Sequence, residues 1–220
     1  MKVISVNVGL PRNVITNGRE VTTGIFKEPV NNRVFVHRLN VTGDGQADLE
    51  HHGGQWKAVY AYPSEHYAYW REIYSGKELP WGMFGENLTT EGLLENEIRI
   101  GDRIRAGSAV FVVTQPRIPC YKLGIKFGRE EMVKLFLESL RLGFYLSVFQ
   151  EGEVGAGDTV EIVQRDQSAF TVTDLARLYL GDWKDLAALK RAAQLQALSP
   201  GWRDGFAERI VRIEGISGGY

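Results

Sequence analysis

The chain has 220 residues, of which 44% are hydrophobic and 24% charged, and its formal net charge is -1. These values are typical of a globular protein with its own core, and the neutral balance argues against a general binder of polyanions. Its single cysteine excludes an intrachain disulfide and a four-cysteine zinc or iron–sulfur site built from this chain alone. Since no apolar run is long enough to cross a bilayer, we expect a cytoplasmic protein without a membrane partner.

Residues 1–165 predict a mainly β structure. Short segments of alternating apolar and polar residues are separated by glycine, which favours an antiparallel barrel or sandwich over a doubly wound sheet. Two helices are expected to interrupt the strands, one at 64–74 with Ser64 as its N-cap and one at 129–142 with an apolar face. Strands rich in β-branched and aromatic residues are expected at the N-terminus and at 33–39, 57–62, 97–105, 109–114 and 159–163.

Two runs in the first third of the chain carry candidate ligand-binding residues. In 23–30, Lys27 lies on a short segment that ends at a proline, although most such lysines are surface residues. In 43–57, Gly53-Gly54 lets the backbone approach a ligand closely, and a neighbouring imidazole with Lys57 offers donors and charge to a phosphate.

The glycine-rich run has two other interpretations. It is not a P-loop, because it lacks a Gly-Lys-Ser/Thr ending and a strand follows it. It can be a solvated hairpin loop, or a divalent metal site formed by its acidic residues and two histidines. The metal site is disfavoured because adjacent histidines on an extended chain point to opposite sides.

The run Phe84-Gly85-Glu86-Asn87 places a carboxylate and an amide beside an aromatic ring. These groups can supply hydrogen bonds to a ligand. They can equally cap a turn before the strand that is expected to end near Thr90.

The only cysteine, Cys120, lies in the run 115–122, which contains two prolines and the cations Arg117 and Lys122. Neighbouring cations favour the thiolate, which attacks electrophiles and binds soft metals. The prolines predict a stiff, non-helical segment. A lone cysteine is also often a small buried hydrophobe, and its spacing alone does not decide between these interpretations.

After residue 165 the pattern becomes helical, with helices expected at 173–180, within 182–198 and at 200–213. We therefore divide the chain into a β domain, 1–165, and a three-helix domain, 166–220. Three short helices suggest a helix-turn-helix, which binds DNA. The seven basic and seven acidic residues after 165 cancel, so this region has no net positive charge to bind phosphates. We expect no nucleic-acid partner, and we expect the helices to pack on the β domain or on a second copy in a homodimer.

Taken in chain order, the four runs resemble the MOSC family, named for the molybdenum cofactor sulfurase C-terminal domain. The resemblance is to its YiiM-like branch and covers about residues 1–165, while the three helices resemble that branch's C-terminal domain. Only His52 falls in the family's His-Gly-Gly motif, so His51 is not carried over. The resemblance implies a MOSC-type β-barrel with a few interspersed helices, followed by a small three-helix domain. The segments that carry it are 23–30, 43–46 with 52–60, 84–88 and 115–120.

The resemblance also implies a chemistry. Cys120 is expected to be the catalytic residue and the ligand of molybdenum, which is carried by a pyranopterin cofactor. The implied reaction is two-electron reduction of an N–O bond in a small N-hydroxylated compound such as hydroxylaminopurine, which would detoxify mutagenic base analogues. An external flavin or iron–sulfur reductase would donate the electrons. The residues that the motifs suggest for binding the cofactor are Lys27, His52, Gly53, Lys57, Asn87, Gln115 and Arg117.

Two other functions stay open at this point. The chain can be a sulfur carrier or cofactor-handling protein that holds a persulfide on Cys120. It can also be a non-enzymatic binding module whose helices contact a partner. Molybdenum content separates the first from the reductase, and nucleic-acid retention at physiological salt tests the second.

Overall fold

The computed structural model describes residues 1–47, 53–76, 78–181 and 185–217. Within these ranges there are twelve strands, six α-helices and a short 3₁₀ helix at Gln55–Lys57. The strands are β1 Lys2–Val8, β2 Arg12–Thr16, β3 Arg19–Thr23, β4 Glu28–Val30, β5 Val34–Val36, β6 Val59–Pro63, β7 Leu88–Glu91, β8 Arg103–Ala106, β9 Ala109–Pro116, β10 Phe144–Gln150, β11 Gly152–Val154 and β12 Val160–Gln164. The helices are α1 His66–Ile73, α2 Tyr121–Phe127, α3 Met132–Ser139, α4 Val172–Leu180, α5 Leu186–Ala192 and α6 Pro200–Ser217.

The main sheet has eight strands in the order β12-β8-β9-β10-β6-β7-β1-β4. Its pairs are antiparallel except β6 with β7, which run parallel and are connected through α1. A bridge between Lys2 and Thr159, and a hydrogen bond from Val160 N to Met1 O (2.9 Å), join β1 to the start of β12. The sheet therefore curls until its end at β12 meets β1, as the predicted barrel requires.

Two hydrophobic clusters stabilise this arrangement. One joins buried strand residues such as Phe111 to Leu175 of α4 and Leu189 of α5. The other is aromatic and packs Trp70 of α1 against Phe136 of α3. Because the first cluster contains both strand and helix residues, the C-terminal helices pack directly on the β region. The division at residues 165 and 166 itself stays a prediction.

Most predicted strands are present with shifted ends. Those at 57–62, 109–114 and 159–163 correspond to β6, β9 and β12, and 33–39 shortens to β5. The strand predicted at 97–105 is wrong over most of its length. There Gly101 has a φ of 93°, and Asp102 accepts a hydrogen bond from Arg99 N (2.9 Å), so a turn precedes β8.

The helices differ from the predictions in three places. The N-cap of α1 is Glu65, and Ser64 makes no capping hydrogen bond, so the predicted serine cap is wrong. The helix predicted at 129–142 is only α3, because Leu140 adopts a φ of 54° and ends it. An unpredicted helix, α2, begins directly after Cys120.

The three predicted C-terminal helices are confirmed as α4, α5 and α6. A capping box between Thr171 and Asp174 begins α4. Among the described residues, no helix has the length and apolar character needed to cross a bilayer.

Candidate functional site

An open cleft with an empty volume of about 660 Å³, counted to its mouth, lies where β9 ends and α2 begins. All four sequence runs contribute to its wall. Five of the predicted site residues line it: Lys27, Lys57, Asn87, Arg117 and Cys120. Residues distant in sequence therefore meet in one place, as a ligand-binding site requires.

Two other predicted residues, Gln115 and Gly53, do not line the cleft. Gln115 is buried with 2% of its surface exposed and lies next to the lining segment, on β9. Gly53 is half-buried but is not part of the cleft wall. His52 lies outside the described residues.

Cys120 is half-buried and is the N-cap residue of α2, with an extended backbone (φ -116°, ψ 173°). The prediction of a non-helical segment thus holds only up to this residue, and Lys122 lies in the helix. The helix forms because Leu123 and Phe127 bury one face and Gly128, with a φ of 66°, ends it. The Cys120 side chain makes no capping hydrogen bond there. Its sulfur therefore sits on the cleft wall at the positive end of a short helix.

Lys27 and Asp44 form a buried ion pair on the cleft wall. Asp44 Oδ1 also accepts from Gly9 N (3.0 Å), and Oδ2 accepts from Asn87 Nδ2 (2.9 Å). Burial lowers the pKa of Lys27, while the charge and hydrogen bond of Asp44 oppose that shift. The Lys27 ammonium in the cleft therefore gives up its proton more readily than a lysine in water.

Asn87 uses its side chain to connect elements around the cleft. Its Oδ1 accepts from Tyr60 N (3.1 Å), and its Nδ2 donates to Asp44 and, at 3.4 Å, to Asn7 O. Because these partners occupy the amide, Asn87 positions the Asp44 loop against β6 and β1. Its main chain is engaged as well, because Asn87 N donates to Tyr60 O (2.8 Å) and Asn87 O accepts from Asn7 N (2.7 Å), so this residue holds the cleft wall together.

Arg117 is almost fully buried between two aromatic rings, 5.4 Å from the Tyr60 centroid and 5.1 Å from the Phe136 centroid. Its Nη1 has no hydrogen-bond partner among the described residues, and neither has Gln115 Oε1. An unpartnered buried donor and acceptor are costly in a folded protein. Beside the cleft they leave one donor and one acceptor available for further hydrogen bonds.

Two tyrosines complete the aromatic wall. The rings of Tyr60 and Tyr145 lie 5.4 Å apart, and both residues line the cleft. Burial raises the pKa of the Tyr145 phenol, and the nearby Arg117 opposes this shift. Burial also raises the pKa of Tyr60, so both phenols stay protonated at neutral pH.

Glu86 belongs to the structure beneath the cleft rather than to its wall. Its fully buried carboxylate accepts hydrogen bonds from the Tyr67 hydroxyl (2.5 Å), Gly82 N (2.8 Å), Phe84 N (3.0 Å) and the Thr89 hydroxyl (2.9 Å). Burial raises its pKa, and these donors oppose the rise. Of the two interpretations of this run, the structure therefore supports a capped turn for Glu86.

Among the residues that the structure describes, the wall of the cleft carries more positive than negative charge. The charged residues there are Lys27, Lys57, Arg117 and Lys122, with one carboxylate, Asp44. An excess of cations in a chain of net charge -1 favours an anionic ligand. Within the described ranges no cluster of three metal-ligating His, Cys, Asp or Glu residues occurs. The acidic and histidine residues of the alternative metal site lie at 48–52, outside those ranges.

Sequence reasoning missed three residues of this wall. Asp44 lies in the run 43–57, and the signal for it is that a lysine which becomes buried needs a carboxylate partner. Tyr60 lies in the segment 52–60, where the sequence pattern predicts only a strand. Tyr145 carried no signal, because it reaches the cleft only through the pairing of β10 with β6 and β9.

Comparisons with known proteins identify related sequences and structures. A family model described as "MOSC domain" matches residues 48–161, and one described as "YiiM-like, 3-alpha helix domain" matches residues 170–211. The protein YflK of Bacillus subtilis (strain 168) is 42% identical over 211 residues, covering 96% of this chain and 95% of the relative. Protein YiiM of Escherichia coli (strain K12) is 39% identical over 199 residues, covering 89% and 88%.

A protein of Gibberella moniliformis (strain M3125 / FGSC 7600) named "Reductase" is 30% identical over 186 residues, which are 81% of this chain but 32% of that longer protein. The crystal structure of YiiM from Geobacillus stearothermophilus superposes with a TM-score of 0.80 at 36% identity, covering 95% of this chain and 98% of that one. That of YiiM from Escherichia coli has a TM-score of 0.77 at 28% identity, covering 96% and 94%.

Proposed function

The chain belongs to the MOSC domain family and carries the YiiM-like helical domain, and from this premise we propose that it is a molybdenum-cofactor-dependent reductase of N-hydroxylated compounds. The observation that carries the proposal is the convergence of the only thiol, Cys120, with four cations in one cleft. A relative named "Reductase" is consistent with this class of reaction.

The residues of the cleft fit a pyranopterin cofactor in three respects. The Cys120 sulfur is a soft ligand of the kind that molybdenum takes in a thiolate-rich environment. Lys57 and Lys122 offer positive charge to the cofactor's phosphate. The unpartnered Arg117 Nη1 and Gln115 Oε1 offer one donor and one acceptor to a heterocycle that has both. When bound, the cofactor would supply the two electrons of the reaction.

The protein's own residues would bind and orient. Cys120 would hold the metal from the N-cap position of α2, and Arg117 would fix the heterocycle while Tyr60 and Tyr145 exclude water from one side. Lys27, kept in the wall by Asp44, would hold a proton at Nζ close to the reacting groups. Overall, an N-hydroxylamine takes up two electrons and two protons and is converted to the amine and water.

Two parts of the proposal concern partners. Two electrons are consumed in each turnover, so we propose an external flavin or iron–sulfur reductase as the donor. The substrate would be a small N-hydroxylated compound, with hydroxylaminopurine-type base analogues as the first candidates and their detoxification in the cytoplasm as the role.

The test begins with protein purified from cells that make the molybdenum cofactor. We expect molybdenum together with pterin fluorescence, and reduction of an N-hydroxylated purine with reduced viologen as electron donor. Cys120→Ser should lose both the metal and the activity. Protein that carries cyanide-labile sulfur on Cys120 but no molybdenum would instead identify a sulfur carrier, and protein with neither would refute the enzymatic proposal.

A further inference from the structure

Glu95 is a buried acid that lies outside the cleft and that none of the sequence motifs includes. It follows β7 in a turn, and 4% of its surface is exposed. Its two carboxylate oxygens lie 2.9 and 2.7 Å from His66 Nε2, and Oε1 also accepts from Gly143 N (2.7 Å). A carboxylate held from two sides in this way has one orientation.

The segment that Glu95 holds carries two residues of the cleft. Leu142 O accepts a hydrogen bond from the Tyr60 hydroxyl (2.8 Å), and Gly143 O accepts one from Arg117 N (3.2 Å). Gly143 has a φ of 63°, and a Cβ there would lie 2.5 Å from Ala61 O. The segment therefore has little freedom, and its position sets where Arg117 and Tyr60 lie.

The main chain of Glu95 faces the C-terminal helices. Its carbonyl accepts from Thr173 N (3.0 Å) in the first turn of α4, and Ile98 O accepts from Val172 N (3.0 Å). One residue thus connects the start of α4 to the wall of the cleft, through Gly143.

We propose that Glu95 is a positioning residue, which His66 orients and which fixes Leu142–Gly143 so that Arg117 and Tyr60 face the ligand. Its meaning for catalysis rests on the proposed function, in which Arg117 binds the cofactor. The hydrogen-bond path itself does not depend on that function, and it is tested on protein that contains no cofactor.

The single cysteine makes a direct assay feasible. The rate at which Cys120 reacts with an anionic aromatic disulfide, 5,5′-dithiobis(2-nitrobenzoate), is divided by its rate with the neutral 2,2′-dithiodipyridine. A correctly placed Arg117 raises this ratio, because its charge attracts only the anionic reagent. We expect Arg117→Ala and Glu95→Ala each to lower the ratio by about three-fold or more. The double variant should be no lower than Arg117→Ala alone, because both changes remove the same effect.

Conservative and control variants separate positioning from general destabilisation. In Glu95→Gln the amide oxygen still accepts from Gly143 N and the amide nitrogen donates to His66, so the ratio should return to near that of the wild type. Glu95→Asp has a shorter side chain that cannot reach both partners, so it should lower the ratio. This variant replaces Glu95→Ala in the test if the alanine variant does not fold. Asp102→Asn is the matched control, because Asp102 is equally buried and accepts from Arg99 N, Asp166 N and Arg165 Nη1, away from the cleft.

The proposal predicts an unchanged ratio in Asp102→Asn, even where its loss of stability equals that of the Glu95 variants. A ratio within two-fold of the wild type in both Glu95→Ala and Glu95→Asp would overturn it. The proposal would also fail if Glu95→Ala lowered the rate ratio of Arg117→Ala by the same factor as it lowers the ratio of the wild type. If the protein binds no molybdenum but the ratio behaves as expected, the proposed function fails and the positioning role stands.

Discussion

Asp44→Asn is expected to destabilise the protein by about 3 kcal/mol at neutral pH, because it leaves a buried ammonium without its counter-charge. The side chains of Lys27 and Asp44 are 8% and 1% exposed, so water cannot replace the lost carboxylate. Asparagine keeps an oxygen for Gly9 N and has nearly the same volume, so the change removes the charge and the hydrogen bond from Asn87 Nδ2 but little packing. Removal of one partner of a buried pair typically costs about 3 to 5 kcal/mol. We take the lower end because the substitution leaves the packing nearly unchanged.

The loss should depend on pH in a defined direction. Burial already lowers the pKa of Lys27 from 10.5, and the charges of Asp44 and Glu86 oppose this shift. In Asp44→Asn only the charge of Glu86 still opposes it. The pKa in the folded variant therefore falls further, and between that pKa and 10.5 the unfolded chain binds more protons than the folded one. Stability rises with pH in this window. The loss of unfolding free energy relative to the wild type should be largest at about pH 6. It should shrink as the pH rises toward the pKa of Lys27 in the folded wild type.

Urea unfolding between about pH 6 and pH 10 measures both effects. Lys27→Met added to Asp44→Asn should recover part of the lost stability, because it removes the uncompensated charge. A deficit below about 1 kcal/mol, or one that is constant over this pH range, would refute the account of the pair. A double variant less stable than Asp44→Asn would do the same.

Four further expectations follow from the site and the core. Cys120→Ser should keep its melting temperature within a few degrees of the wild type while losing molybdenum; a large drop in melting temperature with metal retained would make this residue a structural one. Lys57→Ala and Arg117→Ala should weaken retention of the cofactor by about 10- to 150-fold, as loss of one charge-assisted hydrogen bond implies, whereas the exposed Lys134→Ala should not; equal occupancy in all three would contradict this. Leu175→Ala should cost about 2 to 5 kcal/mol in a single unfolding transition, because Leu175 is buried in the cluster shared by strands and helices, and two separate transitions would count against that shared core. An NMR titration should place the Lys126 amine near 8 instead of 10.5, since burial lowers its pKa, and a midpoint above 10 would disprove its desolvation.

Local patterns in the sequence were sufficient for much of the architecture. Alternating apolar residues indicated β6, β9 and β12, and helical patterns indicated the three C-terminal helices. The helix α1 was predicted from a serine start signal, although Ser64 is not its cap. The four runs identified the wall of the cleft, because a ligand site depends on residue types that local sequence displays directly. Five of the seven residues singled out as ligand or cofactor contacts with described positions line it, and Gln115 and Gly53 do not.

Where the patterns failed, a contact between distant residues or a single backbone angle decided the outcome. Leu140 ends α3 through its left-handed conformation, which apolar periodicity does not encode. The start of α2 at Tyr121 makes Cys120 the N-cap residue of a helix that the sequence pattern does not predict.

The tertiary structure alone determined the chemical environment of the site. Pairing of β10 with β9 brings Tyr145 to the cleft, and the buried pair of Lys27 with Asp44 joins residues 17 positions apart. Glu95 reaches Gly143 across 48 positions. Such contacts follow from how strands pair and how the sheet curls, and these depend on the total packing of the chain rather than on the preference of any one segment.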